Sequence, residues 1–156
     1  MRVKWLIILI SLIISGCSLK PVPKESMSAH ILIKTPEVRI LDFAFIKIHK
    51  HNTRLHVLNS GKTILDISLN EDICLNGPCY DRLVFNRRFF NRTHYPTLFD
   101  DILHSRPIYG GRNLEKTQKG FTQRVEVDGT SIFFKSEENI VEFKDIEKNI
   151  TIRITF

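Results

Sequence analysis

The chain has 156 residues, a formal net charge of +6, 42% hydrophobic residues and three cysteines. That length allows one domain with a true core once any targeting segment is set aside. Eleven phenylalanines against a single tryptophan point to a core or pocket rich in flat apolar rings. The positive charge alone would suit nucleic acid, anionic lipid or acidic glycan, and the N-terminal segment decides among them.

Arg2 and Lys4 make a positive start, and Trp5 to Ile14 is apolar except for Ser11. The run is too short for a transmembrane helix, which needs about 20 residues. A charged start, a short apolar stretch and small residues at its end are the pattern of a secretory signal. That end, Ile14-Ser15-Gly16-Cys17, resembles the lipobox of bacterial lipoproteins: an aliphatic residue, two small residues and a cysteine. The resemblance implies that residues 1–16 are a signal peptide. Cys17 would then become the first mature residue, with a diacylglycerol thioether on its sulfur and a third acyl chain, such as palmitate, on its amine. Two or more chains anchor stably where one does not. By resemblance to lipoprotein sorting in diderm bacteria, Ser18 favours the outer membrane. The protein is therefore expected in the cell envelope, lipid-anchored to the outer membrane and facing the periplasm. Loss of Arg2 and Lys4 with the signal lowers the net charge from +6 to +4. That suits anionic lipid headgroups or acidic glycans, and an exported chain does not meet nucleic acid.

Residues 17–28 form the acylated cysteine and a polar tether, Lys20 to Ser28, which Pro21 and Pro23 stiffen and keep from pairing. Residues 29–156 make the domain. Ile31 to Lys34, Val38 to Lys50, Arg54 to Leu58 and Thr63 to Leu69 are β-branched or aromatic runs separated by turn residues, and they predict four strands. Leu65, Ile67 and Leu69 alternate with Asp66 and Ser68, so one face is wet. Leu41, Phe43 and Phe45 lie in a stretch apolar on both faces, which predicts a mid-sheet or covered strand.

Cys74 and Cys79 bracket Leu75-Asn76-Gly77-Pro78, a tight reversal. An even pair in an oxidising compartment predicts a structural disulfide, with a stabilisation of about 2 kcal/mol on the chain-entropy scale. Cys-x-x-Cys redox chemistry and a metal site both need residues that this pair lacks.

Asp81 opens Arg82 to Asn91, where Phe85 and Phe89 sit one helical turn apart. Pro96 starts a second helix with Leu98, Phe99, Ile102 and Leu103 on one stripe, Asp100 and Asp101 near its positive end and His104 in its last turn. Arg106-Pro107 ends it, and residues 105–119 read as a loop. The C-terminal third is a meander: Phe121 to Val127, the Asp128-Gly129 hairpin signal, Thr130 to Lys135, Ile140 to Lys144 and Asn149 to Phe156. Ile150, Ile152, Ile154 and Phe156 are placed on one face. Four strands, one or two helices and four strands predict an α+β domain, in which a curled antiparallel sheet, an incomplete barrel, is covered by the short helices.

None of the common hydrolase, metalloprotease, phosphate-loop or dinucleotide motifs occurs, and neither catalysis nor a cofactor is expected. His49, His51 and His56 could meet a metal only with further ligands at suitable spacing, and they read as solvated strand-edge residues. Asp100, Asp101 and His104 within one turn could orient a general base, but helix-end electrostatics account for them. Arg82, Arg87, Arg88 and Arg92, interleaved with Phe85, Phe89, Phe90 and Tyr95, fit phosphate on lipid or lipopolysaccharide, or simply a solvated basic helix face.

Three stretches together resemble the LolA/LolB lipoprotein-sorting fold: Phe43 to Leu69, Leu98 to Pro107, and Gly120-Phe121 with the strands after it. The resemblance implies an incomplete antiparallel barrel closed by helices around an acyl-chain cavity. The cysteine loop followed by Tyr80 to Phe90 also resembles small envelope lipoproteins of epsilon-class proteobacteria. Two functions follow as expectations. One is a lipid- or lipoprotein-binding module of LolB-like type, with Phe85, Phe89, Leu98, Phe99, Ile102 and Leu103 lining its ligand site. The other is a structural or assembly accessory of the outer membrane, with the phenylalanines only a core. A cavity of several hundred cubic ångströms among those side chains favours the first, and close packing the second.

Overall fold

The computed structural model describes residues 23–156; the signal peptide, the lipobox, Cys17 and residues 18–22 lie outside the described residues. Eleven strands form one antiparallel sheet. The first six are β1 (Glu25–Lys34), β2 (Arg39–Ile48), β3 (Thr53–Asn59), β4 (Lys62–Leu69), β5 (Ile73–Leu75) and β6 (Cys79–Tyr80). The last five are β7 (Leu114–Thr117), β8 (Gly120–Val127), β9 (Thr130–Glu137), β10 (Ile140–Asp145) and β11 (Ile150–Thr155). Helices α1 (Arg82–Phe89) and α2 (Leu98–Leu103) fall between β6 and β7. The strand order is β6-β5-β4-β3-β2-β1-β11-β10-β9-β8-β7. Two meanders thus meet at a central seam where the first strand pairs with the last, His30 opposite Thr155 and Lys34 opposite Thr151.

This architecture corrects the α+β expectation: the fold is largely β. The helices have only eight and six residues, too few to form a layer of their own. Three strands escaped the pattern for physical reasons. β5 and β6 are short arms of the cysteine hairpin, and β7, Leu-Glu-Lys-Thr, is a polar edge strand without apolar alternation. β1 also begins at Glu25, so residues 25–28, assigned to the tether, pair with β2, Glu25 opposite Ile48.

Turn chemistry sets the hairpins. Ser60-Gly61, Asn76-Gly77 and Asp128-Gly129 all take positive φ, the backbone that two-residue hairpin turns need. Asp81 caps α1 by accepting from the backbone N–H groups of Leu83 (2.9 Å) and Val84 (3.4 Å).

The sheet wraps round the helical segment. His104 lies 2.9 Å from the Thr53 hydroxyl in β3, while the hydroxyl of Ser136 in β9 donates to the carbonyl of Ser105. In a flat sheet β3 and β9, five strands apart, would be separated by about 24 Å; neighbouring residues can touch both only across a curled one. The concave face carries Ile31, Ile33, Ile46, Leu55, Leu65 and Ile67 from one wing and Ile132, Phe134, Phe143, Ile150, Ile152 and Ile154 from the other, all buried. Phe156, placed with the last three by alternation, lies just past the end of β11 and is 41% exposed.

Candidate functional site

The six apolar residues named from the sequence come together on the concave side. Phe85, Phe89, Leu98, Phe99, Ile102 and Leu103 are each 0–1% exposed. Phe85 and Phe89 stack with centroids 4.9 Å apart, and Phe99 meets them at 5.6 and 5.3 Å. Phe90 bridges to Phe143 of β10 at 5.6 Å. These are the offsets at which aromatic rings attract, and they leave little space. A gap beside Phe85 and Phe89 measures about 10 Å³, room for at most one water. The side chains are gathered as expected, but they fill the space that the resemblance assigned to an acyl chain.

Open volume lies instead at one end of the curled sheet. Antiparallel pairing brings the start of β1, the β2–β3 turn, the end of β4 and the end of α2 to that end. There they surround a cleft of about 650 Å³. Its apolar members are Met27, Ile48, Leu69 and Leu103, and Lys24, Lys50, His51 and Arg106 stand exposed around it. A second cleft of about 610 Å³ lies between the β7–β8 turn and the end of β9, with Phe121 and Phe156 in its wall. Met27 and Ser105 line both. Of the six predicted ligand residues only Leu103 lines either cleft. Sequence reading missed these sites because their residues are scattered over turns; the signal that could have found them is hairpin parity, which places residues 25, 48, 53 and 69 at one end.

The charged groups are held by specific partners. Arg82 donates to Asp100 at 2.5 Å, to the carbonyl of Glu71 at 2.9 Å and to the carbonyl of Asn70. Asp101 accepts from Tyr95 (2.9 Å) and Arg106 (2.8 Å). His104 Nε2 meets the Thr53 hydroxyl, and burial, helped by Arg106 nearby, lowers its pKa. Asp100, Asp101 and His104 thus face different partners instead of each other: Asp100 ties α2 to α1, Asp101 ties it to the segments on either side, and His104 reaches the sheet at Thr53.

The four arginines do not form one basic face. Arg82 turns to Asp100, Arg87 to Thr93, Arg88 to Glu37 and the Tyr80 ring, and Arg92 to the carbonyl of Val127. His49 and His51 line the first cleft, while His56 lies on the convex face 3.7 Å from Asp66. Among the described residues no group of three or more His, Cys, Asp or Glu side chains is placed to hold a metal. Cys74 and Cys79 are bonded and lie opposite each other in the β5–β6 hairpin.

A polar pair inside the core was also missed. His94, 3% exposed, lies with Nδ1 2.5 Å from the Tyr109 hydroxyl. Burial, with the Arg92 charge nearby, pushes its pKa down to about 4, and burial raises Tyr109 to about 12. Both are therefore neutral at physiological pH. Neither belongs to a recognisable sequence motif.

No protein-family model matches the chain, and no curated protein is significantly similar to it.

Proposed function

We propose that the mature protein is a lipid-anchored, periplasm-facing outer-membrane lipoprotein that binds an amphiphile, a lipid or the acylated end of another lipoprotein, in a LolB-like manner. The observation that carries this reading is the pair of clefts of about 650 and 610 Å³ that meet at Met27 and Ser105. The second cleft, walled by Met27, Phe121 and Phe156, suits the apolar part of such a ligand, and the first, lined mostly by polar and charged side chains, suits its headgroup. Their position supports the reading too. Only residues 18–22 separate Cys17 from Pro23, and six residue steps reach at most about 21 Å. The clefts, at the start of β1, therefore stay close to the bilayer from which such a ligand comes.

A test is the thermal stability of the mature chain with Cys17 replaced by serine, titrated with a fatty acid and with a triacylated peptide. Occupancy of the clefts raises the melting temperature saturably, and Met27→Asp removes the rise, with circular dichroism confirming that the variant stays folded at the titration temperature. The second reading, a structural or assembly accessory of the outer membrane, is favoured by the closed packing of Phe85, Phe89, Phe90 and Phe99. It stands if neither ligand shifts the transition.

A further inference from the structure

The convex face of the sheet carries a feature that neither cleft uses. An antiparallel sheet with one covered face alternates apolar and polar residues, yet β2 is apolar on both sides. Its inward set includes Ala44 and Ile46, both 0% exposed, and its outward set includes Leu41 at 72% and Phe43 at 37%. Register extends the outward set across the neighbouring strands. Leu32 lies opposite Leu41, His30 and Leu58 lie opposite Phe43, and Ile64 of β4 adds a further side chain at 40% exposure. The Phe43 ring meets Phe45 at 5.0 Å and His30 at 5.8 Å, so the patch is one connected surface. Both helices pack on the opposite face, and no described element covers this one.

Its surroundings are positive. Lys34 and Arg39 face each other at one end of the β1–β2 pair, and Lys47 stands at the other. None of these three has a carboxylate partner among the described residues, Lys34 donating only to the Asn149 amide oxygen at 2.8 Å, whereas Asp66 on the same face is held by Arg54 at 2.7 Å. Exposed rings and aliphatics flanked by cations without carboxylate partners match an anionic membrane interface, where apolar groups enter the acyl boundary and cations meet phosphate. The tether permits this contact. Phe43 lies opposite His30, five residues into β1, or about 17 Å from Glu25. The reach from Cys17 to Pro23 is about 21 Å, so the anchor can sit level with the patch.

We infer that the outward side chains of β1–β4, centred on Leu41 and Phe43, dock the domain flat on the anionic bilayer that holds its acyl chains. The inference rests on the lipid-anchor reading and is separate from ligand binding in the clefts. Docking on this face leaves the clefts opening along the membrane rather than towards the aqueous side.

The test exploits the chain's single tryptophan, Trp5, which leaves with the signal peptide. The acylated protein, isolated from membranes with Leu41→Trp or, as reference, Val84→Trp on α1, is reconstituted into phosphatidylethanolamine–phosphatidylglycerol vesicles containing brominated lipid. Flotation reads the anchor and tryptophan quenching reads the docking. The expected result is that both variants float and that Leu41→Trp is quenched several-fold more than Val84→Trp. Adding Lys34→Glu and Arg39→Glu should reduce the difference. Equal quenching in floating protein overturns the docking while sparing the anchor, and protein that does not float removes the anchor and the docking together. Quenching absent at Leu41→Trp with a sedimentation mass of two chains assigns the face to a second copy and likewise overturns the proposal.

Discussion

Gly120 shows how one missing atom can set a close approach. Its φ is ordinary, but a Cβ at this position would overlap the carbonyl oxygen of Ser136 on β9. Gly120→Ala should therefore lower stability by about 1–3 kcal/mol, the usual cost of overpacking, read as a fall in the denaturant midpoint. His94 provides a pH test. Its folded pKa of about 4 lies below the ordinary value of 6.5, so the unfolded chain binds the extra proton first as pH falls. The associated stability is complete above pH 6.5 and is lost progressively down to pH 4, by about 3 kcal/mol at most. Unfolding free energies measured across that window should decline, and His94→Gln should flatten the decline. Neither residue was legible beforehand. A buried histidine reads like a surface one in sequence, and the need for glycine at 120 arises from a strand that pairs with it only in three dimensions.

At the scale of elements, legibility followed turn chemistry. Asp128-Gly129 and Asn76-Gly77 made their hairpins because few other pairs accept positive φ at both central positions. Asp81 marked the start of α1 because a side-chain acceptor there satisfies two backbone donors. β7 stayed hidden because an edge strand exposed to water needs no apolar alternation, and the helices looked larger because an apolar stripe says little about where a helix frays. The cysteine hairpin yields a separable prediction. Oxidised protein should present no free thiol at Cys74 or Cys79, and the paired substitution to serine should cost about 2 kcal/mol. Thiol labelling of unreduced protein and thermal melts of both forms check this. An unchanged melting temperature would show that the β5–β6 edge is held without the bond.

For the molecule as a whole, the apolar periodicity identified which side chains go inside, but not whether they leave room. Phe85, Phe89 and Phe99 met as expected; the closing of the space among them depends on ring offsets that one-dimensional spacing does not encode. Phe99→Ala should cost about 3–5 kcal/mol by opening a cavity in that packing, measured by denaturant unfolding. The proposed lipid anchor has its own test. Cys17→Ala should give a precursor that neither takes up labelled palmitate nor is cut before residue 17, and continued labelling would refute acylation at that cysteine. The pairing of β1 with β11 has a consequence in time. Residues 30 and 155 are neighbours, so every intermediate length of a chain threaded through a membrane lacks the strand that closes the middle of its sheet. Until β11 arrives, β1 keeps an unpaired backbone edge, a template for the wrong strand. On the proposed exported reading the C-terminus is the final fastening, and a chain stopped at residue 149 should accumulate as a protease-sensitive, self-associating species instead of a trimmed but folded domain.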